Sequence, residues 1–498
     1  MDKIKRQTFK GSIYSYLGIA LGFVTQGWLI PNSLTKAEVG LTNNIFAIAI
    51  ILVQFTALGF GSAAIKHFPY FYDTNKNHKG FLFLTTLVPA IGTILVSSLL
   101  FLFKNQVLAY YNNDAQLNHY YYTIYIIVFG FTFFAVFDNF LRNIGNSTTG
   151  VLLKEFALRL FIAFAVTFYF FHWIDFPTFM LYWSISYILI TVFAMLKVGL
   201  DGNLNFKPNK PLVEMSLFKE MVIYSLFTFL TGMSYQIAFY IDRIMVGSYI
   251  SLAESGVYSV AMQFATVILA PAMVMVRAIT PLITQAWKDD DKILIAELYK
   301  KSCISLLIIG CWVYLGIIVN LHNVFHFLPK GYEEGSLVII IMGLGKVFDM
   351  ATGINSIILV NSKYYKYDTL FFLVLIVLTI ILNHILIPSY GIIGSAIATM
   401  IATIAFNGFR TWFIFYKYKM QPFSMTNLYI LGIAIIAYIV TIQIPENINI
   451  SNTNISVLVN LFLRSISISL LFLGSIYALK LYMPMNEFIA GFIKKIKK

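Results

Sequence analysis

The chain has 498 residues, of which 59% are hydrophobic and only 11% charged, with 35 Lys and Arg against 22 Asp and Glu for a net charge of +13. A soluble domain carries roughly 25% charged residues, so this composition excludes two or three water-facing domains of ordinary make-up. The mean hydropathy of +0.78 makes lipid the solvent.

A helix needs about 20 apolar residues to cross the hydrocarbon of a bilayer, and fourteen such runs are read along the chain. Spans 1 to 6 fall near 9–30, 39–65, 81–103, 118–141, 150–172 and 174–197. Spans 7 to 12 fall near 217–247, 254–286, 299–321, 335–361, 365–387 and 390–416, and spans 13 and 14 near 426–443 and 456–482. Helices are read rather than a barrel, which would show alternating strands of roughly ten residues. The start, MDKIKRQTFKGSIYSYLGIALGFV, has the basic opening of a signal peptide. Its apolar stretch is too long and lacks a small-x-small cleavage site, so it reads as a retained first span.

Basic residues in loops set orientation. With a cytoplasmic N-terminus, 27 of the Lys and Arg lie on the cytoplasmic side, the tail FIKKIKK among them, and only Lys36, Lys104 and Lys330 on the other. Both termini are therefore expected in the cytoplasm. The positive charge is a topology signal that meets anionic headgroups, and nucleic acid is not an expected partner.

The segment PNSLTKAEVGLTN (31–43) returns as SYISLAESGVYS (248–259), with Ala37 and Ala253 lying 216 positions apart. In both copies Ala-Glu-x-Gly follows an odd-numbered span and opens the next, with Ser or Thr placed to start a helix. Repetition after six spans preserves orientation, which predicts parallel repeats about an axis near the membrane normal. The expected fold is an all-α polytopic membrane protein of about fourteen transmembrane helices. Lobe 1 covers 1–197, a cytoplasmic linker 198–216, lobe 2 217–417, and a C-terminal helix pair with a basic tail 418–498. The linker supplies the Gly, Asn and Pro of a boundary in VGLDGNLNFKPNKPL (198–212).

The segments YQIAFYIDRIMVGSYISLAESGVYSVAMQFA (235–265) and IPSYGIIGSAIATMIATIAFNGFRTWF (387–413) resemble the polysaccharide-transport branch of the multidrug/oligosaccharidyl-lipid/polysaccharide exporter superfamily. That branch includes O-antigen flippases and other lipid-linked oligosaccharide flippases. The resemblance implies two lobes that alternate between inward- and outward-open states. It also implies outward movement of an undecaprenyl-pyrophosphate-linked glycan for lipopolysaccharide or other surface polysaccharide.

Five basic residues remain inside the apolar runs: Arg159, Arg243, Arg277, Lys346 and Arg464. A charge at the bilayer centre costs about 2.5–3.5 kcal/mol on insertion scales, so each is a candidate substrate-binding group. Arg277 in span 8 has no acidic neighbour at helical spacing, and arginine's planar fork suits phosphate oxygens; the rival reading is a side chain reaching the headgroups. Lys346 stands three before Asp349 on one face of span 10, which admits either a cavity lining or a local pair, beside glycines Gly343, Gly345 and Gly353.

Asp242 and Arg243 close span 7 and suggest a gate or an interface; the repeat places Gln26 and Gly27 at their positions in lobe 1. The spacings Glu155–Arg159 and Asp138–Arg142 suit self-neutralising pairs. Arg464 has no carboxylate nearby, and Arg410 is expected to reach the headgroups. Asp242 and Asp349 are the candidates for gating or for coupling to H+ or Na+.

No phosphate loop, metal-ligand spacing or nucleophile-base arrangement is read, so no cofactor, metal or enzymatic activity is expected. His322 and His326 read as a solvated loop, the DDDK run (289–292) as a turn, and Cys303 and Cys311 as inert core residues. A flippase for lipid-linked oligosaccharide is the favoured function. Two alternatives stay open. A cation-coupled multidrug antiporter should offer cavity carboxylates, and a membrane polysaccharide polymerase should carry a large outer catalytic loop. Lipids are expected contacts, and a glycan polymerase or other assembly proteins are expected partners.

Overall fold

The structure is a computed structural model describing residues 2–73, 77–208, 215–445 and 453–483. The middle of the expected linker (209–214) and most of the basic tail (484–498) lie outside the described residues. Every regular element among the described residues is helical. In lipid this is what unsatisfied backbone groups demand.

The first helices are α1 (Asp2–Val24), α2 (Lys36–Ala57), α3 (Phe81–Leu102), α4 (Tyr122–Asn143), α5 (Leu158–Phe170) and α6 (Phe176–Leu200). They are followed by α7 (Met215–Tyr249), α8 (Leu252–Val267), α9 (Ala270–Lys288) and α10 (Lys292–Ile318). The chain ends with α11 (Ser336–Ala351), α12 (Asn355–Val360), α13 (Tyr365–Tyr418), α14 (Met425–Ile442) and α15 (Thr453–Ala478).

Among the described residues ten helices are long and apolar enough to cross a membrane, or eleven if α8 and α9, bent by 46°, count as one span. The expected fourteen is not confirmed by this measure, for local reasons. The run at 150–172 is interrupted by a π-helical segment, Leu152–Ala157, and the run at 335–361 breaks between α11 and α12. The runs at 365–387 and 390–416 merge into α13, whose 54 residues are kinked where Gly391 takes φ 57 and ψ −140. Only glycine enters that region without strain. Asp368 and Arg410 lie 2.6 Å apart, whereas 42 residues of straight helix would separate them by about 63 Å. α13 is thus a hairpin.

The chain divides into two compact units, Met1–Ser259 and Val260–Lys498. In the first, helices approach through small residues, the usual route to tight packing in lipid. A Cβ on Gly130 of α4 would press on the Tyr187 backbone of α6, and one on Gly92 of α3 would meet the Thr56 carbonyl of α2. Hydroxyls link the same helices: Thr191 Oγ1 donates to the Gly130 carbonyl at 2.6 Å, and the Thr56 and Thr132 hydroxyls lie 2.8 Å apart. At the start of α6, Asp175 accepts from the Thr178 amide at 3.0 Å, and bonds from Thr178 hold its carboxyl below the usual carboxylate range.

The second unit is built around α10, whose Leu306, Leu307, Cys311 and Tyr314 pack with Ile268, Met350, Ile430 and Phe472. Cys303 and Cys311 are both free and buried. Gly343 leaves room for the Tyr314 ring where α11 crosses α10.

α15 is stitched to α10 and the segment after it by polar side chains. Trp312 Nε1 donates to Ser469 Oγ at 2.9 Å, Asn320 Nδ2 to Ser465 Oγ at 3.1 Å, and Asn323 Nδ2 to Asn460 Oδ1 at 2.8 Å. Beyond the helix end, Ser305 Oγ donates to the Tyr482 hydroxyl at 2.6 Å. Such bonds give these polar side chains partners inside the protein, where hydrocarbon would offer none.

Candidate functional site

α9 carries the most open of the candidate charges. Its buried residues, Ile283 and Ala286, turn one side to the unit's core. The side turned away from the core carries Arg277, Thr280, Thr284 and Lys288, at helical spacings of three and four. Arg277 itself is exposed, and no carboxylate pairs with it among the described residues.

Pro281 has no N–H to give the carbonyl four residues earlier, so Arg277 also keeps a free backbone acceptor. Thr280 and Thr284 spend their hydroxyl protons on the carbonyl of Val276 (2.6 Å) and on Thr280's own carbonyl or Asn361 Oδ1 (both 2.9 Å). The face is a polar stripe of about 16 Å, from the 1.5 Å rise per residue, with a cation near each end. Chemically it can bind an anion and hand it along.

Asp242 and Arg243, on α7, are buried at 1% and 8% exposure. Tyr258 donates its hydroxyl to Asp242 Oδ2 at 3.1 Å, and the Arg243 guanidinium lies over the Tyr240 ring at 5.1 Å. Their side chains are held by neighbours on α7 and α8.

In the second unit, Lys346 and Asp349 are half-buried on α11. They do not form the local pair that their spacing admits. Asp349 Oδ1 instead accepts from Asn407 Nδ2 at 2.8 Å, and Asn407 Oδ1 accepts from Asn355 Nδ2 at 3.1 Å. One turn beyond Asn407, Arg410 is 4% exposed, ion-paired with Asp368 and set 3.9 Å from the Phe406 ring centroid. This corrects the expectation that Arg410 reaches the headgroups: a carboxylate brought alongside by the hairpin is a nearer partner than the surface. Sequence reading missed Asp368, Asn355 and Asn407, whose partners are 42, 52 and 58 residues distant.

Arg159 pairs with Glu155 at 3.2 Å and Arg142 with Asp138 at 2.7 Å. Glu155 lies in the π-helical segment, which packs on α1 where Gly18 and Gly22 leave space for the Glu155 carbonyl and the Arg159 side chain.

Arg464 is spent on backbone. It donates to the Val319 carbonyl at 2.7 Å and the Ile444 carbonyl at 2.6 Å, at the C-terminal ends of α10 and α14. A cation there satisfies orphan carbonyls and the negative ends of two helix dipoles. Arg464→Met should therefore cost roughly 3 kcal/mol, given charged hydrogen bonds worth about 1.5–3 each. A thermal unfolding scan in detergent would read it as a midpoint several degrees lower; an unchanged midpoint would show the bonds to be dispensable. His326 Nε2 lies 3.1 Å from Asn454 Oδ1, and no His, Cys, Asp or Glu cluster fit for a metal occurs among the described residues.

Comparison with known proteins gives a consistent picture. The family described as Polysaccharide biosynthesis protein matches residues 8–287, and the MatE family matches residues 228–385. An uncharacterized membrane protein of Methanocaldococcus jannaschii, MJ1068, is 23% identical over 94% of each chain. The capsular polysaccharide biosynthesis protein CapF of Staphylococcus aureus is 25% identical over 28% of this chain and 34% of its own. Among solved structures, the lipid II flippase MurJ in an inward closed conformation superposes with a TM-score of 0.74 at 15% identity, over 95% of this chain and 99% of that one.

Proposed function

The chain belongs to the polysaccharide biosynthesis protein family, and from that premise we propose that it moves a polyprenyl-pyrophosphate-linked oligosaccharide across a membrane for surface polysaccharide synthesis. It is a multi-pass membrane protein with the fold of flippases and transporters. The observation that carries the substrate class is the exposed α9 stripe, with Arg277 at one end and Lys288 at the other. Cations that have no ion pair among the described residues and lie on an open face call for an anionic cargo, and a pyrophosphate head meets that need.

The movement is alternating access by two lobes, 1–197 and 217–417, with the 418–498 pair serving the polyprenyl tail. Both ends sit on the cytoplasmic side of the bacterial inner membrane. Arg277, Lys346, Arg243, Arg159 and Arg464 were the substrate-facing candidates. The contacts above favour Arg277 first and Lys346 second, and leave Arg159 and Arg464 to structural roles. Asp242 and Asp349 are the carboxylates offered for coupling to H+ or Na+.

The match of residues 228–385 to the MatE family supports a second reading, a cation-coupled multidrug antiporter. One experiment separates the two. The purified protein, in vesicles, is given a fluorescent polyprenyl-pyrophosphate oligosaccharide or a lipophilic cationic dye under an imposed proton or sodium gradient. The expected result is that the lipid-linked glycan becomes accessible to an impermeant reagent on the far leaflet while the dye does not accumulate. Dye uptake without glycan movement would overturn the proposal in favour of the antiporter.

A further inference from the structure

The two ends of the α13 hairpin come together on a platform of aromatic rings. Tyr364, just before the first residue of α13, sets its ring 5.6 Å from Phe413 and 5.9 Å from Tyr418, near the last. Tyr418 packs in turn on Trp287 at 4.8 Å, and Trp287 Nε1 donates to the Ile358 carbonyl at 3.1 Å, which fixes the platform from behind. Four exposed lysines flank it, Lys363 and Lys366 from one end of the hairpin and Lys417 and Lys419 from the other. Lys363 Nζ lies 5.2 Å from the centroid of the Tyr364 ring, and Lys417 Nζ lies 5.4 Å from the same ring. Lys417 also reaches Tyr416 at 4.8 Å, and Lys419 reaches Phe415 at 5.7 Å.

These charges lack a counter-charge from the chain. Lys197, Lys292 and Lys301 pair with Asp201, Asp290 and Glu297. No carboxylate pairs with the four lysines of the platform among the described residues, and the one acidic residue in the first turn of α13, Asp368, is committed to Arg410. A ring face attracts an ammonium but leaves its N–H donors free for a stronger acceptor. The helix dipole accounts for Lys417 and Lys419, at the C-terminal end of α13, where cations are favoured. It opposes Lys363 and Lys366, which stand at the N-terminal end. An anion from outside the chain is the missing partner.

The surface that runs up to the lysines selects the kind of anion. Leu370, Phe409 and Trp412 are exposed within about two turns of the patch along α13. A soluble anion has no use for that apolar face, whereas a phospholipid covers both: phosphate on the lysines, acyl chains along the helix.

We propose that the open end of the α13 hairpin is a binding site for an anionic phospholipid, whose phosphate is held by Lys363, Lys366, Lys417 and Lys419 and ties the two ends of the hairpin together. The inference goes beyond the transport reading and does not depend on which cargo is moved.

The test uses the full chain in detergent with equimolar phosphatidylglycerol and phosphatidylcholine, the bound lipids being counted by native mass spectrometry. The wild type should retain phosphatidylglycerol several-fold over phosphatidylcholine. A patch triple, Lys363→Gln with Lys417→Gln and Lys419→Gln, should lose that preference. The same three positions changed to Arg should keep it, since the charge remains. A control triple of equal charge change, Lys197→Gln with Lys292→Gln and Lys301→Gln, should keep it too. Equal losses in the two Gln triples would reduce the effect to diffuse attraction and overturn the site. So would a wild type without preference, and so would displacement of the lipid by inorganic pyrophosphate at equal concentration, which would make the ligand a soluble anion. A second reading comes from thermal unfolding: phosphatidylglycerol should raise the midpoint of the wild type and the Arg triple by several degrees and leave the patch Gln triple unmoved. A rise of the same size in the patch Gln triple would count against the lysines as the ligands.

Discussion

Arg277→Ala is expected to lower export of surface glycan at least tenfold while the protein stays in the membrane at normal abundance. Arg277 makes no ion pair among the described residues and lies on the face of α9 turned away from the core, so its removal opens no cavity and strands no partner charge. What is lost is a charged hydrogen-bond donor toward the cargo, and such bonds are worth about 1.5–3 kcal/mol, a factor of roughly ten to a hundred and fifty. Arg277→Lys should recover only part of the loss, because an ammonium is a point charge and cannot match two phosphate oxygens at once. Glycan display and membrane abundance, measured side by side, decide it. Normal display in the alanine variant would remove Arg277 from the mechanism.

The second large effect concerns stability. Arg410→Met or Asp368→Leu alone should cost about 3–5 kcal/mol, since each leaves a buried charge without its partner. The side chains of the pair are only 5% and 8% exposed, and the Arg410 guanidinium is sandwiched between Phe372 at 4.9 Å and Phe406 at 3.9 Å. The double variant, with both charges gone and the volume kept apolar, should regain most of the loss. Unfolding midpoints of the four proteins in one detergent give the coupling directly. If the two single losses simply add in the double variant, the pair does not hold the hairpin.

The sequence made the helical class legible because lipid leaves few other options, and the apolar runs are long enough to see. It made the local pairs legible too: Asp138–Arg142 and Glu155–Arg159 sit at spacings that force their side chains together. The same logic left Lys346 and Asp349 open between a cavity lining and a local pair. Spacing brought them to one face, yet Asn407, from the second half of α13, took the carboxylate. Arg410 was misplaced, and the surroundings of Arg464 were not legible, for a related reason. Their partners are carbonyls and a carboxylate delivered by distant helices, and an apolar run does not announce which neighbour it will lie against. The exact span count was not legible, since whether a run bends, breaks or fuses is decided by glycine and π-helical geometry that depends on tertiary packing.

The ties between α15 and α10 have a consequence for the order in which the protein is made. Val319, Asn323 and Trp312 find their partners 145, 137 and 157 residues later in the chain. At a synthesis rate of about 5–20 residues per second, α10 waits on the order of 10 s in the insertion machinery before the helix that satisfies it emerges. Through that interval its amides and indole face lipid or an escort. A ribosome that stalls before residue 453 releases a chain with exposed polar groups at membrane depth, a ready mark for membrane proteases.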